Sequence, residues 1–419
     1  MKKSLLAVAA MTAFAGAAHA QSSVTIYGVL DESYSSVKQT AFNGMNKTVQ
    51  GLKDSAWTSN RLGFQGSEDM GGGTSTVFTV ETGLSVGSSD PAQGGLGVTG
   101  ATNNATAPFQ NVRQAFLGLN NTKYGQLTAG YQYTQEYFQR ITNIGGSANT
   151  LGMAATSSGN GGIAVASRGT IDQMNGFRYQ SPTFYGAQAV AMIGTINTTQ
   201  QSGFATQIVA TSSSTGASLL IPAVTGDQAV TQTGFGQQYG VQWSQGKAQA
   251  TVSYSQERVS NSSPYSYYLG SAGVAGNGVD QVGVINAYKT SQQNFTGSGS
   301  YDFGIVKLMA VAANRRVTDL TAATAPVTNV DMYNIGAFVP VTSAIKLGAN
   351  YAYAHQGVSG KDSKNQAVQA SVQYAMSKRT SAYLLAARAF ASTISGAPFT
   401  STNAVTSVNQ YSLGLMHNF

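Results

Sequence analysis

The chain has 419 residues and a formal net charge of +7, and only 9% of its residues are charged, against a usual share of about 25%. It contains 49 glycines and 21 tyrosines but no cysteine, which excludes disulfides and thiolate metal ligands. Its 23 basic residues are spread along the chain, whereas a nucleic-acid-binding protein needs them in clusters, so no nucleic-acid partner is expected.

The first twenty residues have the layout of a secretory signal peptide. Two lysines precede an apolar run, and the segment ends in Ala-His-Ala at 18–20; such segments are removed on export. We therefore expect a signal peptide at 1–20 and one folded domain at 21–419. No later stretch reaches the roughly 20 apolar residues that a membrane helix requires, so insertion into a membrane would have to use β-strands.

The segment 24–31 has the pattern of a strand with two different faces. Val24 and Ile26 alternate with more polar residues that lead to Asp31, which indicates one lipid-facing and one water-facing side. The segment 60–68 repeats this pattern, and a glycine-rich turn then leads to a third strand at 75–86.

From there the chain alternates long polar segments with short turns. Short turns are predicted at 68–73, 120–123, 181–185, 244–246, 301–304, 340–343 and 377–379. Long segments are predicted near 38–57, 87–110, 135–173, 196–235, 259–291, 317–330, 356–364 and 391–408. Strict alternation of this kind is typical of an up-and-down barrel in an outer membrane. Eight long segments and seven turns predict sixteen strands, a size that leaves an aqueous channel.

The last strand runs to the final residue. Tyr411, Leu413, Leu415 and Phe419 form an apolar face, and the residues between them are mostly small or polar. A transmembrane barrel needs such a strand, because its last strand must pair with its first to remove the sheet edge. The same alternation is clear in 239–243, 345–353 and 368–376.

Six segments carry a family resemblance. They read VTIYGVLD at 24–31, SNRLGFQGSED at 59–69, RQAFLGL at 113–119, RYQSP at 178–182, MSKRT at 376–380 and GLMHNF at 414–419. With them the chain resembles the Gram-negative trimeric general porins of beta-proteobacteria over essentially its whole length after the signal. The resemblance implies an all-β, 16-stranded antiparallel transmembrane barrel in the cell outer membrane. It also implies an assembly of three chains, with the third long segment, Gln135–Asp172, folded into the lumen as a constriction.

The resemblance further implies a basic cluster on the barrel wall opposite this segment. Family arginines on the second and fourth strands correspond to Arg61 and Arg113, and Arg178 falls on the inward phase of its own strand. Two other family arginines are absent, because Gly130 is followed by Tyr131 and the sixth strand is preceded by Asp172. We also expect four basic residues on later strands to face the lumen, since charge facing lipid is costly: Lys307, Arg315, Lys346 and Arg388.

The charged residues of the third long segment are Glu136, Arg140, Arg168 and Asp172. Acids facing a basic wall would set a field across the narrowest point, although they could also form weak salt bridges at the rim. The basic surplus predicts a weak to moderate preference for anions during passive diffusion of small hydrophilic solutes and inorganic ions.

Other functions have less support in the sequence. After removal of the signal only His355 and His417 remain, with no sign of a nucleophile and base and with too few ligands for a structural zinc site, so neither catalysis nor a cofactor is expected. A substrate-specific channel would need a longer aromatic path than Tyr131, Tyr133 and Tyr137 provide. A barrel that anchors an adhesin or surface antigen remains an alternative, given the long segments 196–235 and 259–291.

The expected partners are implied by the family resemblance, which indicates a trimer, and by the outer-membrane location. They are two further copies of the chain, outer-membrane lipid and lipopolysaccharide, with the second long segment, 87–110, contacting a neighbouring copy. The C-terminal residues Gly414, Leu415 and Phe419 resemble the signal that the outer-membrane assembly machinery reads.

Overall fold

The computed structural model describes most of the chain after its first 22 residues. The described residues are 23–41, 46–84, 86, 109–142, 173–202, 209–211, 218–220, 228–261, 289–319, 327–358, 361–392 and 405–419. The predicted signal peptide, Arg168, Asp172 and nearly all of the second long segment lie outside them.

Within these residues the chain forms nineteen strands and one helix. The first strands are β1 (Ser23–Ala41), β2 (Asn46–Asp54), β3 (Arg61–Gly71), β4 (Thr74–Leu84), β5 (Phe109–Asn121) and β6 (Gly125–Tyr133), followed by the helix α1 (Gln135–Thr142). Next come β7 (Gln173–Gln180), β8 (Ala187–Ser202), β9 (Val209–Thr211), β10 (Ser218–Leu220), β11 (Gln228–Gln245), β12 (Ala248–Asn261) and β13 (Lys289–Asp302). The last are β14 (Lys307–Asp319), β15 (Val327–Pro340), β16 (Ile345–Val358), β17 (Lys361–Ala375), β18 (Thr380–Ser392) and β19 (Val405–Asn418).

The strands form one closed antiparallel barrel of sixteen strands, as predicted. β2 and β3 lie end to end against β1, separated by the bend 55–60, and together count as one strand of the wall. β9 and β10 pair only with each other. Every other strand pairs with its neighbours in chain order, with β8 joined to β11. β19 pairs with β1 from Asn418 opposite Val29 to Val405 opposite Ala41, which removes the sheet edge.

Backbone hydrogen bonds extend this closure to the last residue. Phe419 N donates to Gly28 O, and Gly28 N donates to Phe419 O, both at 3.1 Å. A Cβ added at Gly28 would overlap the Phe419 ring, so the glycine is what lets the terminal aromatic lie flat over β1. The prediction of a terminal strand that closes the barrel is confirmed.

The two faces of the wall have opposite chemistry. On β17, Val368 and Val372 are exposed while Gln369 and Ser371 are buried, and on β11 Tyr239 is exposed while Gln238 is buried. This alternation confirms the predicted lipid-facing and inward phases of these strands, with polar groups turned away from the hydrocarbon.

The prediction that Arg388 faces the lumen is wrong. On β18 the buried positions are Tyr383, Leu385, Ala387 and Ala389, so Arg388 belongs to the exposed outer face. Its guanidinium lies 4.6 Å from the centre of the Phe390 ring, where a cation–π contact and the long side chain accommodate its charge. Lys307, Arg315 and Lys346 do share the inward phase of their strands.

Several predicted long segments, though not 87–110 or 135–173, are shorter than expected because the strands continue beyond the alternating pattern. β1 and β2 occupy most of the predicted segment 38–57, and β16 and β17 occupy most of 356–364. Beyond the hydrocarbon the outer face no longer has to be apolar, while the backbone groups can still pair. All seven short turns lie where they were predicted. No helix in the described ranges is long and apolar enough to cross a membrane.

Candidate functional site

A buried carboxylate, Glu81 on β4, lies at the centre of the main charged group on the inner wall. Arg113 Nε is 2.6 Å from Glu81 Oε1, and Arg61 Nε is 3.9 Å from Glu81 Oε2. Tyr27 on β1 donates its hydroxyl hydrogen to Oε2 at 2.9 Å. We call Arg61, Glu81 and Arg113, with the tyrosines around them, the arginine cluster.

A β-bulge directs Arg113 toward Glu81. Gln114 pairs with Glu81, whereas Val112 pairs with Thr82, so Arg113 is an extra residue without a partner in the ladder. Leu117 and Leu119 are exposed on the outer face. If the strand alternated strictly, Arg113 would face outward as they do. The bulge reverses the phase and turns Arg113 inward.

Tyr27 reaches Glu81 because the opposite residue on β3 is Gly63. The Tyr27 ring lies where a Cβ of Gly63 would be, so the ring can lie flat against the wall with its hydroxyl on the carboxylate. Arg61, two residues before Gly63, also donates from Nη1 to Ser59 O at 3.1 Å. Its side chain keeps 30% of its surface exposed, against 16% for Arg113, so Arg61 is the arginine more open to ions.

Two stacked tyrosines join the arginine cluster to α1. The rings of Tyr133 and Tyr137 are 3.8 Å apart and nearly parallel. The Arg113 guanidinium lies 5.5 Å from the Tyr133 ring centre, and its Nη2 donates to the Tyr137 hydroxyl at 3.1 Å. The start of the third long segment is therefore tied to this wall by Arg113.

The other side of α1 is held by the inward faces of β11, β12 and β13. Gln135 N donates to Gln238 Oε1 at 2.6 Å, and Ser253 Oγ donates to Gln139 Oε1 at 2.6 Å. Ser255 Oγ donates to Glu136 Oε2 at 3.2 Å. The helix therefore lies inside the barrel against its polar face, and residues 143–172 that follow it lie outside the described residues.

The predicted site residues are thus divided between two walls. Arg61 and Arg113 are together on the cluster wall, while Glu136 lies on the side of α1 that faces β12. Arg178 faces inward on β7 and donates from Nη1 to Gln180 Oε1 at 2.8 Å. Arg140 belongs to α1. Tyr131, at the position of an absent family arginine, has its hydroxyl 2.9 Å from Gln173 Oε1.

Glu81 and Tyr27 belong to the arginine cluster but were not predicted from the sequence. Glu81 is a single acid within the third predicted strand, where a charge in mid-strand should point into the lumen. That signal was present in the sequence. The contact between Glu81 and Arg113 could not be predicted from the sequence, because it depends on the bulge at Arg113.

A second acid, Asp31, is buried where the barrel closes. Its Oδ2 accepts from the backbone N–H groups of Trp57 and Thr58 at 2.6 and 2.7 Å. Its Oδ1 accepts from the Tyr383 hydroxyl at 2.6 Å. We call these contacts, with the Gly28–Phe419 pairing, the closing seam. The Tyr383 ring lies over Gly414 as Tyr27 lies over Gly63, which gives Gly414 a structural role, while Leu415 is exposed on the outer face.

Within the described residues no group of three or more His, Asp or Glu side chains could hold a metal ion. A closed sixteen-stranded barrel with an apolar outer face and charged groups on its inner wall defines the class of outer-membrane channels.

Comparison with known proteins gives the family. Residues 7–393 match the Gram-negative porin family, and the chain belongs to it. It is 26% identical over 420 residues to an outer membrane porin protein of Bordetella pertussis, covering 91% of this chain and 93% of that one. It is 43% identical over 81 residues to outer membrane porin protein 32 of Delftia acidovorans, which is 19% of this chain and 22% of that one.

Among solved structures, the anion-selective porin from Comamonas acidovorans matches with a TM-score of 0.61 and 19% identity, covering 95% of this chain and 100% of that one. The chain is an outer-membrane general porin and not an enzyme. Members of the family typically form trimers and pass small solutes.

Proposed function

We propose that this porin has a weak to moderate preference for anions and that Arg61 and Arg113 set it. The observation that carries the proposal is that two arginines share one carboxylate, Glu81. The cluster therefore has a net charge of +1 on the inner wall. Charges at a narrow point with low-dielectric walls act strongly on passing ions, whereas surface charges are screened within about 8–10 Å.

The more exposed Arg61 is the residue that a passing anion would meet first. Arg113 is held from three sides by Glu81, Tyr133 and Tyr137, so it supplies a fixed charge. Arg178, Arg140 and Arg168 would add to the basic surplus, against Glu136 and Asp172. The anion selectivity of the Comamonas acidovorans porin is in keeping with this assignment.

The test is the zero-current potential across a planar bilayer under a KCl gradient. A unit charge about 8 Å from the ion path changes an ion's energy by roughly 0.5 kcal/mol in water, and about half of that remains at 0.1 M salt. Replacing both Arg61 and Arg113 with Gln should therefore lower the anion-to-cation permeability ratio by about fourfold. Arg379→Gln, an exposed arginine in a short turn, should leave the ratio unchanged. A cation-selective wild type, or an unchanged double mutant, would refute the assignment.

The same recordings separate the alternatives. A general pore gives stepwise ohmic openings, a substrate-specific pore is blocked by its substrate, and a barrel that only anchors an adhesin gives no conductance. The permeation rate of small hydrophilic solutes should fall with their size, because the single stacked pair of Tyr133 and Tyr137 is too short to form a path for a sugar.

We further propose a homotrimer surrounded by lipid and lipopolysaccharide. The outer face supports close packing, because a shallow groove of about 730 Å³ there includes the small residues Ala337, Ala349, Ala370 and Ala386. The second long segment, 87–110, would contact a neighbouring copy. Unheated detergent gels should show a species about three times the mass of the heated one, and a monomer at every temperature would exclude the trimer.

A further inference from the structure

Arg315 on β14 is the largest of the side chains that the described structure buries almost completely, with 2% of its surface exposed. A guanidinium is charged at any ordinary pH, and a charge removed from water is stable only where other groups compensate it. Arg315 shares the inward phase of its strand, yet a side chain this buried does not meet passing ions. Its contacts therefore indicate what its charge does.

Arg315 belongs to a row of inward-facing residues that crosses three neighbouring strands. It lies opposite Asn294 of β13, and Asn294 lies opposite Ser255 of β12, so their side chains are close enough to bond. Arg315 Nε donates to Asn294 Oδ1 at 3.1 Å, and Asn294 Nδ2 donates to Ser255 Oγ at 3.1 Å. Ser255 Oγ in turn donates to Glu136 Oε2 of α1 at 3.2 Å. We call these four residues the Arg315 relay.

The direction of the hydrogen bonds in the Arg315 relay is fixed at both of its ends. A guanidinium can only donate and a carboxylate can only accept. The oxygen of Asn294 must therefore face Arg315, which leaves the NH₂ group of Asn294 to donate to Ser255. The hydroxyl hydrogen of Ser255 is then directed to Glu136. All three bonds point from the cation to the anion, and in such an arrangement each bond polarises and strengthens the next.

The Arg315 relay and the arginine cluster hold α1 from nearly opposite sides of the barrel. With β2 and β3 counted as one strand and β9 and β10 outside the wall, β5 is the fourth of the sixteen strands and β14 is the eleventh. The Tyr137 hydroxyl accepts from Arg113 of β5, and Glu136, the residue before it, is connected to Arg315 of β14. Consecutive residues in the first turn of α1 are thus connected to arginines on two different walls.

We propose that Arg315 is a positioning residue for the third long segment and that its charge compensates the charge of Glu136. It acts on α1 through Asn294 and Ser255 and does not contact the ions. Glu136 is also buried, with 3% of its surface exposed, and a buried carboxylate needs such a partner. The fields of two opposite charges largely cancel at an ion farther away than their separation. Glu136 therefore subtracts little from the basic surplus of the channel.

The positioning role is tested by the mobility of α1. The chain has no cysteine, so a spin label on Ile141→Cys, an exposed position of α1, reports on this helix alone. Ser255→Ala breaks the Arg315 relay without changing any charge. The ratio of mobile to immobile label in the electron paramagnetic resonance spectrum should rise by about fivefold, as expected for the loss of one hydrogen bond.

Two further serine variants are the controls for this measurement. Ser255→Thr keeps the hydroxyl group and should keep the wild-type spectrum. Ser371→Ala removes a buried hydroxyl from the inward face of β17, away from the Arg315 relay, and should also keep it. An unchanged spectrum in Ser255→Ala would overturn the positioning role, and so would a label in Ser255→Thr that is as mobile as in Ser255→Ala.

The compensation of charge is tested by the zero-current potential under a KCl gradient. For one unit charge the screened Coulomb argument predicts that Arg315→Met lowers the anion-to-cation permeability ratio by about twofold and that Glu136→Gln raises it by about twofold. The double variant removes both ends of a neutral pair, so its ratio should return to the wild-type value. Arg316→Met, at an exposed arginine on the outer phase of the same strand, should leave the ratio unchanged.

Arg315→Met leaves a buried carboxylate without its compensating charge and is the variant most prone to fail in folding. The double variant has no such unpaired charge, so its comparison with Glu136→Gln decides the question if Arg315→Met does not assemble. A double variant with the raised ratio of Glu136→Gln would overturn the compensation. The inference rests on the chain being a channel but not on the arginine cluster. A failure of that cluster would appear in the Arg61 and Arg113 variants and would change neither the label mobility nor the return of the ratio in the double variant.

Discussion

Asp31 at the closing seam and Glu81 in the arginine cluster are both acids on the inner wall, with 0% and 5% of their surface exposed. Asp31 is surrounded by neutral donors, two backbone N–H groups and the Tyr383 hydroxyl. Glu81 accepts from Tyr27 and lies between two arginines. A carboxylate among neutral donors fixes the backbone, while a carboxylate between two guanidinium groups sets the net charge of a surface. Changes at the seam should therefore affect assembly and stability, and changes at the cluster should affect ion selectivity.

The largest effect is expected where the chain ends. Deletion of Phe419 removes the last pair with Gly28 and the aromatic ring over β1, so the barrel should not close and the protein should accumulate in the periplasm as degraded or aggregated material. Immunoblots of heated and unheated outer-membrane fractions measure this. Normal levels of heat-modifiable barrel would contradict the role of Phe419.

A glycine variant separates closure from recognition by the assembly machinery. Gly28→Val keeps the terminal residues but fills the space of the Phe419 ring, with Arg61 O only 2.6 Å from the added Cβ. If closure is the important step, this variant should fail like the deletion. Gly51→Ala, where a Cβ would meet nothing within 4 Å, is the matched control. If Gly28→Val assembled normally, Phe419 would act only in recognition by the assembly machinery and not in closure of the barrel.

The next effect is on stability. Asp31→Ala leaves the N–H groups of Trp57 and Thr58 and the Tyr383 hydroxyl without their acceptor in a buried site. Each unsatisfied group costs about 1–3 kcal/mol, and the two backbone N–H groups are only partly buried. We therefore expect the free energy of unfolding to fall by about 3–5 kcal/mol, in the lower part of the range for three groups. Urea titration of the barrel in lipid vesicles, followed by gel mobility, measures the change. Glu68→Ala, at an exposed acid on β3, should leave the free energy of unfolding almost unchanged. If both variants lost the same free energy of unfolding, the buried Asp31 would contribute no more to stability than a surface acid.

The seam is also the region that the sequence predicted best. The alternation of Tyr411, Leu413 and Leu415, the terminal Phe419 and the two-faced pattern around Asp31 all follow from one physical requirement. A membrane barrel must have an apolar outer face and no free edge, and this requirement acts on every second residue. It can therefore be read from one sequence.

The arginine cluster could be predicted only in part. The resemblance pointed to Arg61 and Arg113, but the inward direction of Arg113 depends on a single inserted residue, and a bulge reverses a period-two pattern without leaving a trace in composition. Glu81 was overlooked because its partners lie 20 and 32 positions away in the sequence. Arg388 was placed on the wrong face because both phases of β18 are apolar, so the pattern there carried no information about direction.

The smallest effect is expected at Glu81, and it is the one that tests the comparison most directly. Glu81→Gln keeps the size of the side chain and an oxygen that can still accept from Arg113, so the barrel should assemble and remain heat-modifiable. The change removes one negative charge from between the two arginines and raises the net charge of the cluster from +1 to +2. By the same screened Coulomb argument, the anion-to-cation permeability ratio should rise by about twofold. The zero-current potential under a KCl gradient measures it, with Glu68→Gln as the control at an exposed acid. A lower anion preference would mean that Glu81 acts mainly by holding Arg113 in place, as Asp31 holds the seam, and that the two acids differ in surroundings but not in role.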